Sequence, residues 1–181
     1  MIEFTELEDA AKKHKLYQNV ISTKGNLVFF RGNLNNPEYL FIGEAPGQEE
    51  NKVGKPFIGR SGKLLDGWIN SSNIKDFVII NTVPIIPLDA SGKIRKPTSD
   101  EINYFKPYVD NLIKSINPKW IICLGKSALE YMDLSLINLT WKENIGFIYH
   151  PSYYLRNGRD GKDDFSKLIL NRAIQKSLSE F

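Results

Sequence analysis

The sequence holds one cysteine and two histidines among 181 residues. A single thiol excludes an internal disulfide. It also excludes a cysteine-ligated zinc finger or iron–sulfur cluster built within one chain, because such centres draw on about three or four such ligands. Cys123 sits in the apolar run Trp120 to Gly125, where it reads as a small buried hydrophobe. With only His14 and His150, histidine-rich metal chemistry is not expected, and the choice of a catalytic imidazole is narrow. No metal and no cofactor is expected. The chain lacks a run of eighteen apolar residues, so no transmembrane helix is expected. Its acidic start lacks the basic-then-apolar order of a signal peptide, so an intracellular setting is expected. Repeats, linkers and low-complexity tracts are also missing, and the length suits one domain spanning residues 1–181, expected to act as a monomer. Charge of one sign is scarce too: 24 Lys and Arg against 21 Asp and Glu leave +3. That balance permits nucleic-acid contact without requiring it.

Four short apolar runs stand out: Tyr39 to Gly43, Phe77 to Asn81, Trp120 to Gly125, and Phe147 to His150 with the residues just before. They show little alternation, which suits parallel strands covered on both faces. Helical spacing lies between them. Ser61 to Ser71 puts Leu64, Leu65, Trp68 and Ile69 on one face. Thr98 to Ile116 opens on a capping box, Thr98 with Glu101 three residues later, and repeats apolar residues at helical intervals. Gly125 to Met132 and Asp163 to Leu178 complete the set. The alternation predicts a three-layer α/β/α fold around a mainly parallel four-stranded sheet.

Two long irregular segments, Glu44 to Arg60 and Pro84 to Pro97, follow the first and second strands, and His150-Pro151-Ser152 follows the fourth. Long ordered loops in a small domain are usually functional. Ligands of open α/β sheets bind beyond the carboxyl ends of the strands, so Glu44, Asn81 and His150 are expected on one rim. The residues offered there narrow the chemistry. No G-x-S-x-G elbow is present. Gly59-Arg60-Ser61-Gly62-Lys63 fails as a phosphate loop, with Phe57 where the first glycine belongs and Leu64 where Ser or Thr would bind magnesium. A base pocket fits better. A carboxamide matches the N3–H and O4 edge of uracil, an aromatic ring stacks on a base for about 1–3 kcal/mol, and an imidazole can support charge on a departing base.

Six segments then carry a family resemblance. Gly43-Glu44-Ala45-Pro46-Gly47-Gln48-Glu49-Glu50 is similar to G-E-[AG]-P-G-x-x-E of the iron–sulfur (family 4) uracil-DNA glycosylases. Gly54 to Leu65 resembles G-x-P-F-V-G-x-[AS]-G-x-L-L. Ile80-Asn81-Thr82-Val83 resembles I-T-N-[VI]-V, shifted so that Asn81 matches the asparagine. Arg95 to Ile102 resembles R-x-P-[TS]-x-x-E-I, and Pro118 to Ala128 resembles P-K-x-[IV]-[IV]-x-L-G-x-x-A. Tyr149 to Arg156 resembles H-P-[SA]-x-x-L-R. The resemblance spans about residues 38 to 170, in order.

It implies excision of uracil from DNA by hydrolysis of the N-glycosidic bond, leaving an abasic site for base excision repair. By the same resemblance His150 stabilises the leaving base, and Glu44, with the backbone at Ala45 and Pro46, places base and water. Phe57 stacks on the flipped uracil, Asn81 reads its edge, and Glu50 lies near C5. Ser61, Arg95, Ser152, Leu155 and Arg156 are expected to meet the DNA, with Leu155 or Arg156 filling the gap left by the base. Blander readings stand beside these: a loop-anchoring ring for Phe57, a turn cap for Asn81, and solvated charge for Glu50 and for Lys93, Arg95 and Lys96. His14 is expected to be solvated. The water-orienting Asp of the best-known glycosylase family aligns with Ala45.

The chain departs from family 4 where the cluster cysteines belong. Two should fall near Ile85 and Phe105 and two between His14 and Val20. Apolar packing is expected in the cluster's place. The related subfamily that traps uracil covalently uses an inserted histidine, which Gly92 to Pro97 lacks. Two other readings remain: a glycosylase for another damaged or modified base, and a non-catalytic member that binds DNA or a replication partner.

Overall fold

A computed structural model describes residues 4–179. Met1 to Glu3, where the acidic opening tract begins, and the last two residues lie outside the described part. The chain opens with helices α1 (Thr5–Lys13) and α2 (Tyr17–Thr23), then strands β1 (Phe30–Gly32) and β2 (Tyr39–Gly43). Helices α3 (Gln48–Val53) and α4 (Arg60–Ser71), strand β3 (Phe77–Asn81), helix α5 (Ser99–Ile116) and strand β4 (Trp120–Leu124) follow. Helix α6 (Lys126–Tyr131), strands β5 (Trp141–Lys142) and β6 (Ile145–Ile148), and helices α7 (Pro151–Arg156) and α8 (Lys162–Ser179) complete it.

The sheet order is β1-β3-β2-β4-β6-β5. The inner four strands run parallel, as expected from their unbroken apolar runs. Among the described residues six strands replace the expected four, because β1 and β5 add antiparallel edges of three and two residues. Strands that short leave no readable periodicity. The expected irregular segment from Glu44 to Arg60 likewise contains the six-residue α3.

Successive residues on each strand face opposite sides, and here both sides are apolar. Leu40, Ile42, Val78, Ile80 and Cys123 pack toward α1, α2, α5 and α6. Tyr39, Phe41, Ile79, Ile122 and Leu124 pack toward α4, α7 and α8, around Trp68, Tyr154 and Phe165. Helix α5 starts at the expected capping box, with the Thr98 hydroxyl accepting from Glu101 N–H at 3.2 Å and Glu101 accepting from Thr98 N–H at 2.8 Å. Among the described residues no helix is long and apolar enough to cross a membrane.

The positions where the resemblance expects cluster cysteines come together in the first apolar layer. Ile85 and Phe105 are sealed there with Leu16 and Val20. His14 closes the group, its ring 4.5 Å from Tyr104 and 5.2 Å from Phe105. The expectation of a solvated His14 is corrected: it is half-buried, its Nδ1 accepts from Leu16 N–H, and burial lowers its pKa. These residues do not fit a cluster. Thiolates are missing, and Leu16, Val20, Ile85 and Phe105, which cannot coordinate iron, fill the space, leaving His14 as a lone imidazole with its Nδ1 already bonded to Leu16 N–H.

Iron and acid-labile sulfide measured on purified protein are expected to be far below one equivalent. Stoichiometric iron would contradict the apolar seat. Phe105→Ala is expected to destabilise the fold by about 3–5 kcal/mol in urea denaturation, since it empties a sealed aromatic site.

Candidate active site

The carboxyl ends of the parallel strands bring the motif residues together. Gly43 at the end of β2 pairs in register with Asn81 at the end of β3. Gly43 has to be glycine for a visible reason. A Cβ there would lie 2.3 Å from the Phe57 ring and 2.8 Å from Asn81 Oδ1. Gly125, just past β4, takes φ +93°, and a Cβ on it would lie 2.9 Å from the Cβ of His150. Two glycines thus let the rim close around an aromatic ring, a carboxamide and an imidazole.

A cavity of about 360 Å³ opens between these residues, lined among others by Ala45, Glu50, Phe57, Ser61, Asn81 and His150. The Phe57 and His150 rings are 5.4 Å apart. Asn81 is only 5% exposed, yet its Oδ1 has no hydrogen-bond partner among the described residues. A buried acceptor left unpaired costs about 1–3 kcal/mol, so this atom suits a ligand that brings a donor. Pro46 is buried next to Ala45 and is not among the residues that line the cavity.

His150 caps α7. Its Nδ1 accepts the Ser152 N–H at 3.1 Å and lies 2.8 Å from Ser152 Oγ. An Nδ1 that accepts a backbone N–H carries no proton, so the neutral ring bears its hydrogen on Nε2. Burial first, then the positive charges of Arg156 and Lys96, lower the His150 pKa to about 4. The ring is therefore neutral at physiological pH. The unfolded chain takes up this proton below about 6.5, while the native ring resists it down to about 4. Stability is therefore lost as pH falls through that interval.

A second cavity of about 560 Å³ shares His150 and Ile94 with the first and is lined by Glu44, Lys96, Lys126, Ser127, Ser152 and Arg156 as well. Glu44 Oε2 accepts a hydrogen bond from Ser127 Oγ, and the Glu44 carbonyl accepts from Thr82 Oγ1 at 2.7 Å. Glu44 and His150 thus border one space while Asn81 and Phe57 border the next. Leu155 is half-buried on α7, and the exposed Arg156 donates to Ser152 Oγ at 3.1 Å.

Two expectations change in detail. Glu50 lines the base-sized cavity, but its carboxylate is committed to backbone. One oxygen accepts from Ile58 N–H at 3.0 Å and Gly59 N–H at 2.8 Å, and the other from Gly47 N–H at 3.1 Å. It clasps the two ends of the loop around α3, so it is more than solvated charge. Arg95 is likewise engaged. Its guanidinium forks onto Glu101 at 2.8 and 2.6 Å and also donates to the Leu88 and Lys96 carbonyls. Glu101 is 2% exposed. Burial pushes its pKa up, but Arg95 and the Thr98 N–H outweigh that and hold it below the usual carboxylate value. Arg95 therefore ties the Pro84–Pro97 loop to α5, while its side chain still lines the second cavity.

Sequence reasoning missed Ser127, Lys126 and Ile94. The first two follow β4 on the same rim as Glu44, so strand topology alone could have found them. Ile94 is 46% exposed at the mouth shared by both cavities. Its position depends on the Asp89–Lys93 turn, where Asp89 accepts from the Ser91 and Lys93 N–H groups, and no periodic signal marks it.

Arg95→Ala is expected to destabilise the fold by about 3 kcal/mol, because it strands a buried carboxylate. Arg95→Ala with Glu101→Gln should recover part of that loss. Urea midpoints of the three proteins test this, and a wild-type midpoint in Arg95→Ala would refute the pairing.

Comparison with known proteins agrees with this geometry. Residues 29–173 match the uracil DNA glycosylase superfamily. The type-4 uracil-DNA glycosylase of Thermotoga maritima is 36% identical over 145 residues, which cover 73% of this chain and 73% of that protein. The type-4 enzyme of Archaeoglobus fulgidus is 30% identical over 168 residues, covering 81% and 82%. That of Saccharolobus solfataricus is 37% identical over 124 residues, covering 67% and 52%. Site, fold and relatives converge, and the chain belongs to the uracil DNA glycosylase superfamily.

Proposed function

We propose that this protein is a uracil-DNA glycosylase whose chemistry runs in the two adjoining cavities without an iron–sulfur cluster. The observation that carries the reading is the convergence of Phe57, the unpaired Asn81 Oδ1 and a neutral, Nε2-protonated His150 on one base-sized space. Uracil offers an N3–H donor to Oδ1 and an O4 acceptor to the carboxamide nitrogen. Cytosine, with a bare N3 and an amino group at C4, mismatches both, which leaves buried polar groups unpaired and so discriminates strongly.

Phe57 stacks on the base once it leaves the duplex. As the glycosidic bond lengthens, negative charge gathers on the base and an oxocarbenium-like sugar forms. A neutral imidazole that donates from Nε2 to uracil O2 stabilises that charge without first losing a proton. Glu44, held by Ser127, borders the neighbouring cavity, where its carboxylate can orient water and offset positive charge on the sugar. Ser61, Ser152, Leu155 and Arg156 then serve the DNA strand, Leu155 or Arg156 as the group that fills the vacated stack. Every residue assigned a role comes from one chain, so a monomer of one domain suffices, and a DNA substrate fits an intracellular setting.

Labelled oligonucleotides with uracil, hypoxanthine or a thymine mismatch, followed by alkaline cleavage of abasic sites, test the reading. Product is expected from uracil alone. Hypoxanthine as the preferred substrate would move the assignment to another base, and no product from any of the three would leave a binding protein. His150→Ala and Asn81→Ala are each expected to slow single-turnover uracil release about 10²–10³-fold while DNA binding persists. The rate should also stay flat through the ordinary imidazole range near pH 6.5 and fall only toward pH 4, where the buried ring takes its proton. An inflection near 6.5 would count against a neutral His150.

A further inference from the structure

Phe57 stands in an unfavourable backbone conformation. Its φ is +53°, in the left-handed region that a residue with a Cβ enters at a cost. Its carbonyl presses against α4 so closely that a Cβ at Gly62 would lie 1.8 Å from the oxygen. Something must hold this peptide, because a strained backbone conformation persists only where its surroundings fix it.

Two side chains of opposite charge hold it from opposite sides. Glu50 takes the amides that follow, at Ile58 and Gly59. Arg31, from the edge strand β1, takes the carbonyls: Nε donates to Pro56 O at 3.2 Å and Nη2 to Phe57 O at 3.0 Å. Nη2 also donates to Asp66 Oδ1 on α4 at 2.8 Å, which aims the fork. Arg31 touches neither of the two cavities described above. We infer that Arg31 is a positioning residue for uracil excision, acting only through Phe57 by holding the left-handed peptide that presents the stacking ring. A lysine in its place would offer one head group where three acceptors converge, so the fork geometry is what the site uses.

The inference rests on the reading of Phe57 as the ring that stacks on uracil, and a double-mutant cycle tests it. Single-turnover uracil release is measured for wild type, Arg31→Ala, Phe57→Ala and the double variant, together with inhibition by free uracil. Arg31→Ala is expected to slow release about tenfold to a hundredfold, to weaken inhibition by uracil, and to leave affinity for DNA unchanged. In the Phe57→Ala background the same change is expected to do nothing further. An equal loss in both backgrounds, or a wild-type rate in Arg31→Ala, would overturn the inference. If Arg31→Ala does not fold, Arg31→Lys goes through the same cycle under the same two criteria. An inactive wild type would instead refute the proposed function, so the two failures are distinguishable.

Discussion

The site depends on charged side chains bonded to loop backbone. A pocket at the carboxyl end of a parallel sheet is walled by loops, and loops carry amides and carbonyls that no ladder satisfies. Here Glu50 binds three such amides and Arg31 binds two carbonyls. The Arg95–Glu101 pair repeats the device for the second loop. Charge-assisted bonds of this kind are stronger and more directional than neutral ones. They fix the rim well enough for a ring, a carboxamide and an imidazole to meet around one small cavity. Two of these charges, Glu50 and Arg95, read from the sequence alone as groups waiting for a base or a phosphate.

Much of the fold was legible because burial writes itself into composition. Tyr39 to Gly43 and Phe77 to Asn81 are covered on both faces, so their apolar runs mark the strands to the residue. The capping box at Thr98 and Glu101 fixes where α5 begins. The edge strands β1 and β5 were invisible because two or three residues hold no period. At the site, the resemblance brought Phe57, Asn81 and His150 to attention, and all three line one cavity. What sequence could not supply was the direction in which an acid or a base spends its hydrogen bonds. Arg31 lies in an edge strand with no motif around it, and only the fold shows that it reaches Pro56 and Phe57. His14 was read as solvated because lysines flank it, whereas its ring is turned inward onto Tyr104 and Phe105.

Neutrality of His150 and helix capping by His150 are one fact seen twice. Its Nδ1 receives the first free amide of α7, which sets the tautomer, and the burial that lowers its pKa comes from the same packing against Gly125 and Phe57. The geometry that ends β6 and starts α7 therefore also fixes which nitrogen faces the chemistry.

The apolar seat formed by Leu16, Val20, Ile85 and Phe105 has a consequence for how the protein comes into being. A metal-ligated domain waits for its ion before its parts can lock, and its stability follows the supply of that ion. A seat made of side chains completes itself as the chain collapses. That seat closes by packing alone, so oxygen or iron starvation has no cluster in that corner of the fold to attack.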